Sequence, residues 1–252
     1  MAMTATFFLG FVAMMTAVLV AIVARYLDRR AAFRVLAGLA VWFLYGGLMS
    51  YFGVFGSAAM RPPGTAFLLA PILLFLSFFV VFMVRSAAGS RIALAFPLWI
   101  ILGAECFRVG VELFLHQLWI EGIVPKVLTF EGANVDIYIG ASAPVIAWLS
   151  TRGRMGLKLA LVWNVLGLLA LANVVTRAVL TAPGPLNLIH AEVPNRMFGT
   201  FPFLFIPGFF VPLAVTLHVL AIRAISSRLR MGIGVNLGGT HSAQEGSQPV
   251  SG

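Results

Sequence analysis

Seven apolar stretches dominate the sequence, at roughly 4–25, 36–58, 65–84, 93–119, 136–151, 157–181 and 201–223; the fifth is the shortest. About 20 apolar residues in helical form cross the hydrocarbon of a bilayer, and a helix satisfies its own backbone there. The 252-residue chain is 61% hydrophobic and only 10% charged, against about 25% charged in soluble domains. It has too little polar surface to face water all round. That excludes a cytosolic enzyme and a disordered chain, and the single cysteine, Cys106, excludes a disulfide scaffold. The expected fold is an all-α transmembrane seven-helix bundle over 1–230. The expected sequel is a disordered cytoplasmic tail over 231–252, rich in Gly, Ser and Gln.

The basic residues set the orientation. Twelve follow the odd-numbered stretches: Arg25, Arg29, Arg30, Arg34, Arg85, Arg91, Arg152, Arg154, Lys158, Arg223, Arg228 and Arg230. Only three, Arg61, Lys126 and Arg196, fall in the alternate connections. Basic loops stay in the cytoplasm, so the N-terminus is expected outside and the C-terminus inside. No Lys or Arg precedes Arg25, so the first stretch reads as a retained span rather than a signal peptide. The net charge of +9 belongs to these loops and does not indicate nucleic acid.

Two halves of the chain share a pattern. Val41-Trp42 and Gly46 in the second stretch correspond to Val162-Trp163 and Gly167 in the sixth. Pro63-Gly64 corresponds to Pro183-Gly184, and Phe67-Leu68 with Pro71 to Phe203-Leu204 with Pro207. The spacing suggests a parallel repeat of three helices either side of a linking fourth.

The fourth stretch carries the chemistry. Glu105, Arg108, Glu112 and His116 recur at spacings of three, four and four, within an arc of about 80° on one helix face. Ionisable groups at membrane depth cost several kcal/mol each, by rough estimate, unless they face protein or trapped water and find partners. This face is therefore expected to look inward. Asn173 and Arg177 share an i, i+4 face of the sixth stretch and reach similar depths, which suggests an outward-facing pocket between the two helices. Arg108 can reach both Glu105 and Glu112, and the second carboxylate, left partly uncompensated, is expected to take up a proton or pair with Arg177. Glu131, Asp136, His190 and Glu192 would form its rim. Asn164 lies on the opposite face of its helix, and His218 reads as a helix contact. Asp136 also suits a capping role at the start of the fifth stretch.

A metal site needs three or four ligands. Glu112 and His116 could share one, but no HExxH or CxxC pattern is present, so neither metal nor cofactor is expected. The seventh stretch has no Lys, which argues against a retinal Schiff base.

The runs FRVGVELFLHQL, TFEGANVDIYIGASAP, WNVLGLLALANVVTRAVLTAPGP and FPFLFIPGFFVPLAVTLHVLAIR resemble a group of bacterial multi-pass membrane proteins of unassigned activity, over Phe107 to Arg223. The resemblance implies a bacterial inner-membrane location and supplies no reaction. The three-one-three plan is also similar to that of seven-span sugar-efflux transporters. The chain departs from them in lacking a Pro-Gln signature and in carrying its charges on the linking helix.

Three functions fit these features. The first is binding, and transport, of a small polar or anionic molecule: Arg108 and Arg177 hold the anion, Glu105 or Glu112 couples protons, and Asn173 orients the ligand. The second is an intramembrane enzyme with Glu112 and His116 as acid and base. The third is a membrane subunit whose ion-pair network is structural. The expected partners are the lipid bilayer and a small molecule, and an oligomer is compatible with the sequence.

Overall fold

A computed structural model describes residues 1–56 and 64–242, with side chains as far as Met231. The helices are α1 (Ala2–Tyr26), α2 (Arg29–Tyr51), α3 (Thr65–Arg85), α4 (Ala87–Ala95), α5 (Leu98–Ala104), α6 (Phe107–Ile120), α7 (Asp136–Leu149), α8 (Gly153–Leu180) and α9 (Val211–Ser242). No strand occurs among the described residues. Backbone amides that cannot reach water are thus paired within helices, as lipid surroundings require. The expected tail divides: α9 continues through Gly232 to Ser242, while 243–252 lie outside the described residues, as does Arg61.

Five helices are long and apolar enough to cross a membrane: α1, α2, α3, α8 and the continuous helix Ile206–Met231. A sixth crossing results if α4 and the stretch Leu98–Ile120 count as one span, although the two are bent by 81°. The expected fourth span, 93–119, is therefore corrected. Pro97 disfavours helical backbone in the residue before it, and Phe96 is extended, with φ −89° and ψ 137°. The straight part begins at Leu98. Its 23 residues measure about 34 Å at about 1.5 Å each, enough to cross. α7, with 14 residues, is only about 21 Å long.

The junction of α5 and α6 is wound more tightly than an α-helix. Glu105 N–H bonds to Leu102, Cys106 to Gly103, Arg108 to Glu105 and Val109 to Cys106, each three residues back. Short three-residue winding inside a helix often marks a functional site or strain. The two residues it presents are Glu105 and Arg108.

α5 to α9 form the centre of the bundle. α5 packs on α7 and α9, α8 packs on α7 and α9, and α6 packs on α7. Glycine allows two of these approaches. A Cβ at Gly140 of α7 would stand 2.8 Å from the backbone nitrogen of Val109, and one at Gly167 of α8 would collide with the His218 ring. α1 lies against α2, and its Phe8 and Phe11 pack on Phe114 of α6 and on Phe210 of the turn that precedes α9. α3 lies against α9 and α4. Much of the surface of α1 to α3 is exposed apolar side chain, including Phe33, Leu74 and Phe78. Lipid is the environment in which such a surface carries no penalty.

Two prolines leave gaps that α2 fills. Pro71 in α3 cannot donate to the carbonyl of Phe67, and Pro212 in α9 cannot donate to that of Gly208. Tyr45 Oη donates to the Phe67 carbonyl at 2.7 Å, and Trp42 Nε1 donates to the Gly208 carbonyl at 2.7 Å. The Gly208 site lies within a π-helical turn, Ile206–Phe210, just ahead of Pro212. The aromatic residues of the second stretch thus tie α2 to two proline-bearing helices. Trp42→Phe should lower stability by about 1–2 kcal/mol, and the more exposed Tyr45→Phe by about 0.5–1 kcal/mol. Thermal unfolding in detergent measures both; a Trp42→Phe protein as stable as wild type would refute the role.

Candidate functional site

Arg108 lies ten residues from Leu98 and twelve from Ile120, near the middle of the straight helix. It gathers groups from three other helices and one from its own. Nη2 is 2.7 Å from Asp136 Oδ1 at the start of α7. Nη1 donates to His218 Nε2 of α9 at 2.9 Å, and Nη2 reaches the Gly167 carbonyl of α8 at 3.5 Å. Glu105 Oε2 is 3.7 Å from Nη1. The guanidinium fixes the histidine tautomer: with Nε2 accepting, Nδ1 carries the hydrogen and donates to Asn164 Oδ1 at 2.9 Å. Asn164 Nδ2 in turn donates to the Ala160 carbonyl at 2.7 Å. Glu105, Arg108, Asp136, Asn164 and His218 are all exposed by 5% or less.

One turn along α6, Glu112 is equally buried. Its Oε1 accepts from Asn134 Nδ2 at 2.6 Å. Asn134 also donates to the Leu128 carbonyl at 3.0 Å and accepts from the Asp136 amide at 3.0 Å. One further turn along, His116 Nδ1 is 3.7 Å from Glu131 Oε1, and its ring stacks on Phe130 at 5.0 Å. Three rungs therefore join the helix to the segment 121–136: His116 with Glu131, Glu112 with Asn134, and Arg108 with Asp136. Along them the segment descends beside the helix, so that α7 starts at the level of Arg108. This explains why the fifth apolar stretch is short.

The expected members divide into groups. Glu105, Arg108, Glu112 and Asp136 come together. Asp136 is a direct partner of Arg108 rather than part of a rim. His116 and Glu131 form the last rung. Asn173 and Arg177 bond to each other, Arg177 Nε to Asn173 Oδ1 at 2.9 Å, and Asn173 Nδ2 donates to the Ala133 carbonyl at 2.9 Å. Arg177 is thus turned to Asn173, and Glu112 to Asn134. The alternative in which Glu112 pairs with Arg177 is corrected on that ground: Ala133 and Asn134 stand between the two helices, the Ala133 carbonyl bonded to Asn173 and the Asn134 side chain to Glu112. Arg108 likewise has both terminal nitrogens directed at protein groups. Glu192 sits at the edge, its Oε1 accepting from the Lys126 amide at 2.6 Å. His190 is exposed and takes part in no hydrogen bond or ion pair among the described residues. Among those residues, no three His, Cys, Asp or Glu side chains are placed to hold a metal ion.

Sequence reasoning missed three members. His218 and Asn164 were assigned to separate contacts, yet they meet Arg108 directly and through each other. Asn164 and Asn173 lie on opposite faces of α8, and each face serves a different neighbour. Asn134 lies in the loop ahead of the fifth stretch, where helical periodicity gives no signal. The available signal was its polarity: a buried amide satisfies four hydrogen bonds only among other polar groups.

The family described as "Domain of unknown function (DUF8737)" matches residues 62–226. The chain belongs to the DUF8737 family. The match takes in every residue of the Arg108 cluster and of the three rungs, and leaves out α1 and α2. No curated protein and no solved structure matches the chain.

Within this DUF8737 segment the charges do not balance. Glu105, Glu112 and Asp136 face one guanidinium. Both oxygens of Glu105 and Glu112 Oε2 are buried without a hydrogen bond. Arg108→Leu should destabilise the protein by about 3–5 kcal/mol, because it strands buried carboxylates. The double variant Arg108→Leu with Asp136→Asn should recover part of that loss. Thermal unfolding of the two variants checks the order.

At the far end of α6, Glu121 accepts from the Thr4 hydroxyl and, at 3.0 Å, from Gln117 Nε2. The Thr4 bond chiefly, then the Gln117 bond, holds the Glu121 carboxyl below its usual range. A lowered value stabilises the fold above the unfolded range, near pH about 4.3, and the stabilisation is lost as pH falls through the lowered value. Thr4→Val should therefore reduce melting temperature at neutral pH, with the difference from wild type shrinking in acid. A difference that grows in acid would contradict the assignment.

Proposed function

We propose that this DUF8737 protein is a seven-span protein of the bacterial inner membrane that carries a small polar solute in exchange for, or together with, protons. In this reading α7 and the segment leading into it count as the fifth span, the N-terminus lies outside, and the basic loops lie in the cytoplasm. The observation that carries it is the Glu105 carboxyl: fully buried at mid-helix, with no hydrogen bond on either oxygen, beside an arginine already paired with Asp136. One guanidinium cannot balance three carboxylates away from water. A bound proton, or a cation from solution, supplies the missing charge. Protons are the simpler counter-charge, because the described residues offer no metal cage.

Roles follow from the geometry. Asp136 and Arg108 form the fixed pair. Glu105 and Glu112 bind and release protons. Asn173 and Arg177, on the other side of the Ala133–Asn134 peptide, meet the solute when that peptide moves. The solute is a small polar or anionic molecule, and Arg177 is its counter-charge, since Arg108 is engaged. The short start of α7 at the level of Arg108 and the tight winding at Glu105 support this. Broken helices at the middle of the membrane recur where transporters bind their cargo.

The test uses the full-length protein in proteoliposomes containing a pH-sensitive dye. A panel of small carboxylate and zwitterionic solutes is added outside. At least one should drive proton movement in wild type, and Glu112→Gln should abolish it. Proton movement unaltered by both Glu112→Gln and Glu105→Gln removes the coupling roles. The second reading, a structural network, is favoured by one observation: the cluster is closed and joins α5 to α9. It predicts that the variants lose melting temperature and that no solute moves protons.

A further inference from the structure

We infer that His116 and Glu131 form an outer proton-loading site that supplies Glu112 and, beyond it, Glu105. The inference rests on the proton-coupled reading above and names its route.

Four observations carry it. First, the polar column has one wet end. Glu131 and Lys126 are 42% and 48% exposed, and His116 is 26% exposed, whereas Glu112 and everything past it is buried. Second, the other end is closed by apolar packing. Leu98, Ile101 and Leu102 of α5 and Ala221 and Ile225 of α9 are buried there. Arg228 Nη2 closes the same level on the Phe96 carbonyl at 3.4 Å. Third, His116 stands one turn from Glu112 on the same face, where i and i+4 side chains are neighbours. Fourth, the sites that a travelling proton would use are vacant of hydrogen bonds. His116 Nδ1 is buried and unbonded, with Glu131 Oε1 3.7 Å away, and Glu112 Oε2 is buried and unbonded. Imidazole takes a proton on one ring nitrogen and yields one from the other, which suits it to pass protons between two carboxylates.

The charged groups around His116 are accounted for. From the outer segment, Glu131 faces it, and Lys126 Nζ lies 3.6 Å from Glu131 Oε2 and over the Trp119 ring at 5.1 Å. From its own helix, Glu112 lies below and Glu121 beyond, the latter bonded to Thr4 and Gln117. On α8, Arg177 is turned to Asn173. Phe130 and Trp119 hold the ring from two sides. The imidazole is thus fixed in orientation, with one carboxylate at the surface and another one turn inward. From His116 to Glu105 the column spans eleven residues, about 16 Å of helix, and it does not pass through the apolar end.

The experiment is time-resolved infrared spectroscopy of the protein reconstituted in one orientation, following the carbonyl band of protonated carboxyl groups. The pH is stepped on either face in separate runs. The band should answer a step on the outer face and lag far behind a step on the inner face. His116→Gln should slow the outer response by about a hundredfold, the lower end of what a positioned proton-transfer group contributes. It should leave the final amplitude unchanged. Glu131→Gln, at an exposed position that should fold normally, should slow the same response to a lesser degree. Equal responses from both faces, or a wild-type rate in both variants, would overturn the loading site while leaving the coupling carboxylates standing. If no such band exists, or if it survives intact in Glu105→Gln and Glu112→Gln, the coupled reading falls and the loading site with it.

Discussion

The contact between Arg108 and Asp136 organises the centre of this molecule. A guanidinium halfway along a membrane-length helix has no tolerable position except against protein. The carboxylate that meets it comes from the first residue of the short helix α7 rather than from another full-length helix. Bringing Asp136 to that level obliges the preceding residues to run down the side of α6, and it sets where α7 begins. The same guanidinium orients His218, and His218 needs Gly167, because any side chain there would collide with the ring. One ion pair thus determines the start of one helix, the tautomer on a second and a residue identity on a third.

Much of this was legible in the residue order. Apolar runs gave the long helices, because lipid leaves few other ways to pair a backbone. The i, i+3 and i+4 spacing of Glu105, Arg108, Glu112 and His116 put them on one face, and the cost of exposing charge to hydrocarbon turned that face inward. What remained hidden depended on contacts distant in the chain. Periodicity along α8 separates Asn164 from Asn173 by half a turn but says nothing of which neighbour lies on each side. The distance from Arg177 to Glu112 looked short when only two helices were considered, and a third segment occupies the gap. The bend at Pro97 was marked by the proline itself. Its effect on the length of the fourth span was missed because apolar content continues unbroken across it.

The polar interior and the proline gaps show one physical rule at two scales. The carbonyls that Pro71 and Pro212 leave open find a phenol and an indole, and most groups of the Arg108 cluster find a polar partner. Against that background the two bare oxygens of Glu105 stand out. Where His218, Asn164 and Asp136 all have polar partners, a carboxyl group without a hydrogen bond is the position at which something small and mobile belongs.

The indole of Trp42 has a consequence for where this unit begins. The stretch shared across the family starts after α2, yet the carbonyl ahead of Pro212 in α9 is completed by a side chain from α2. The block that the family matches and the physically self-sufficient piece are therefore different objects. A shortened chain cut at the family boundary would keep the whole charged column and lose the clasp on the open carbonyl of its last helix.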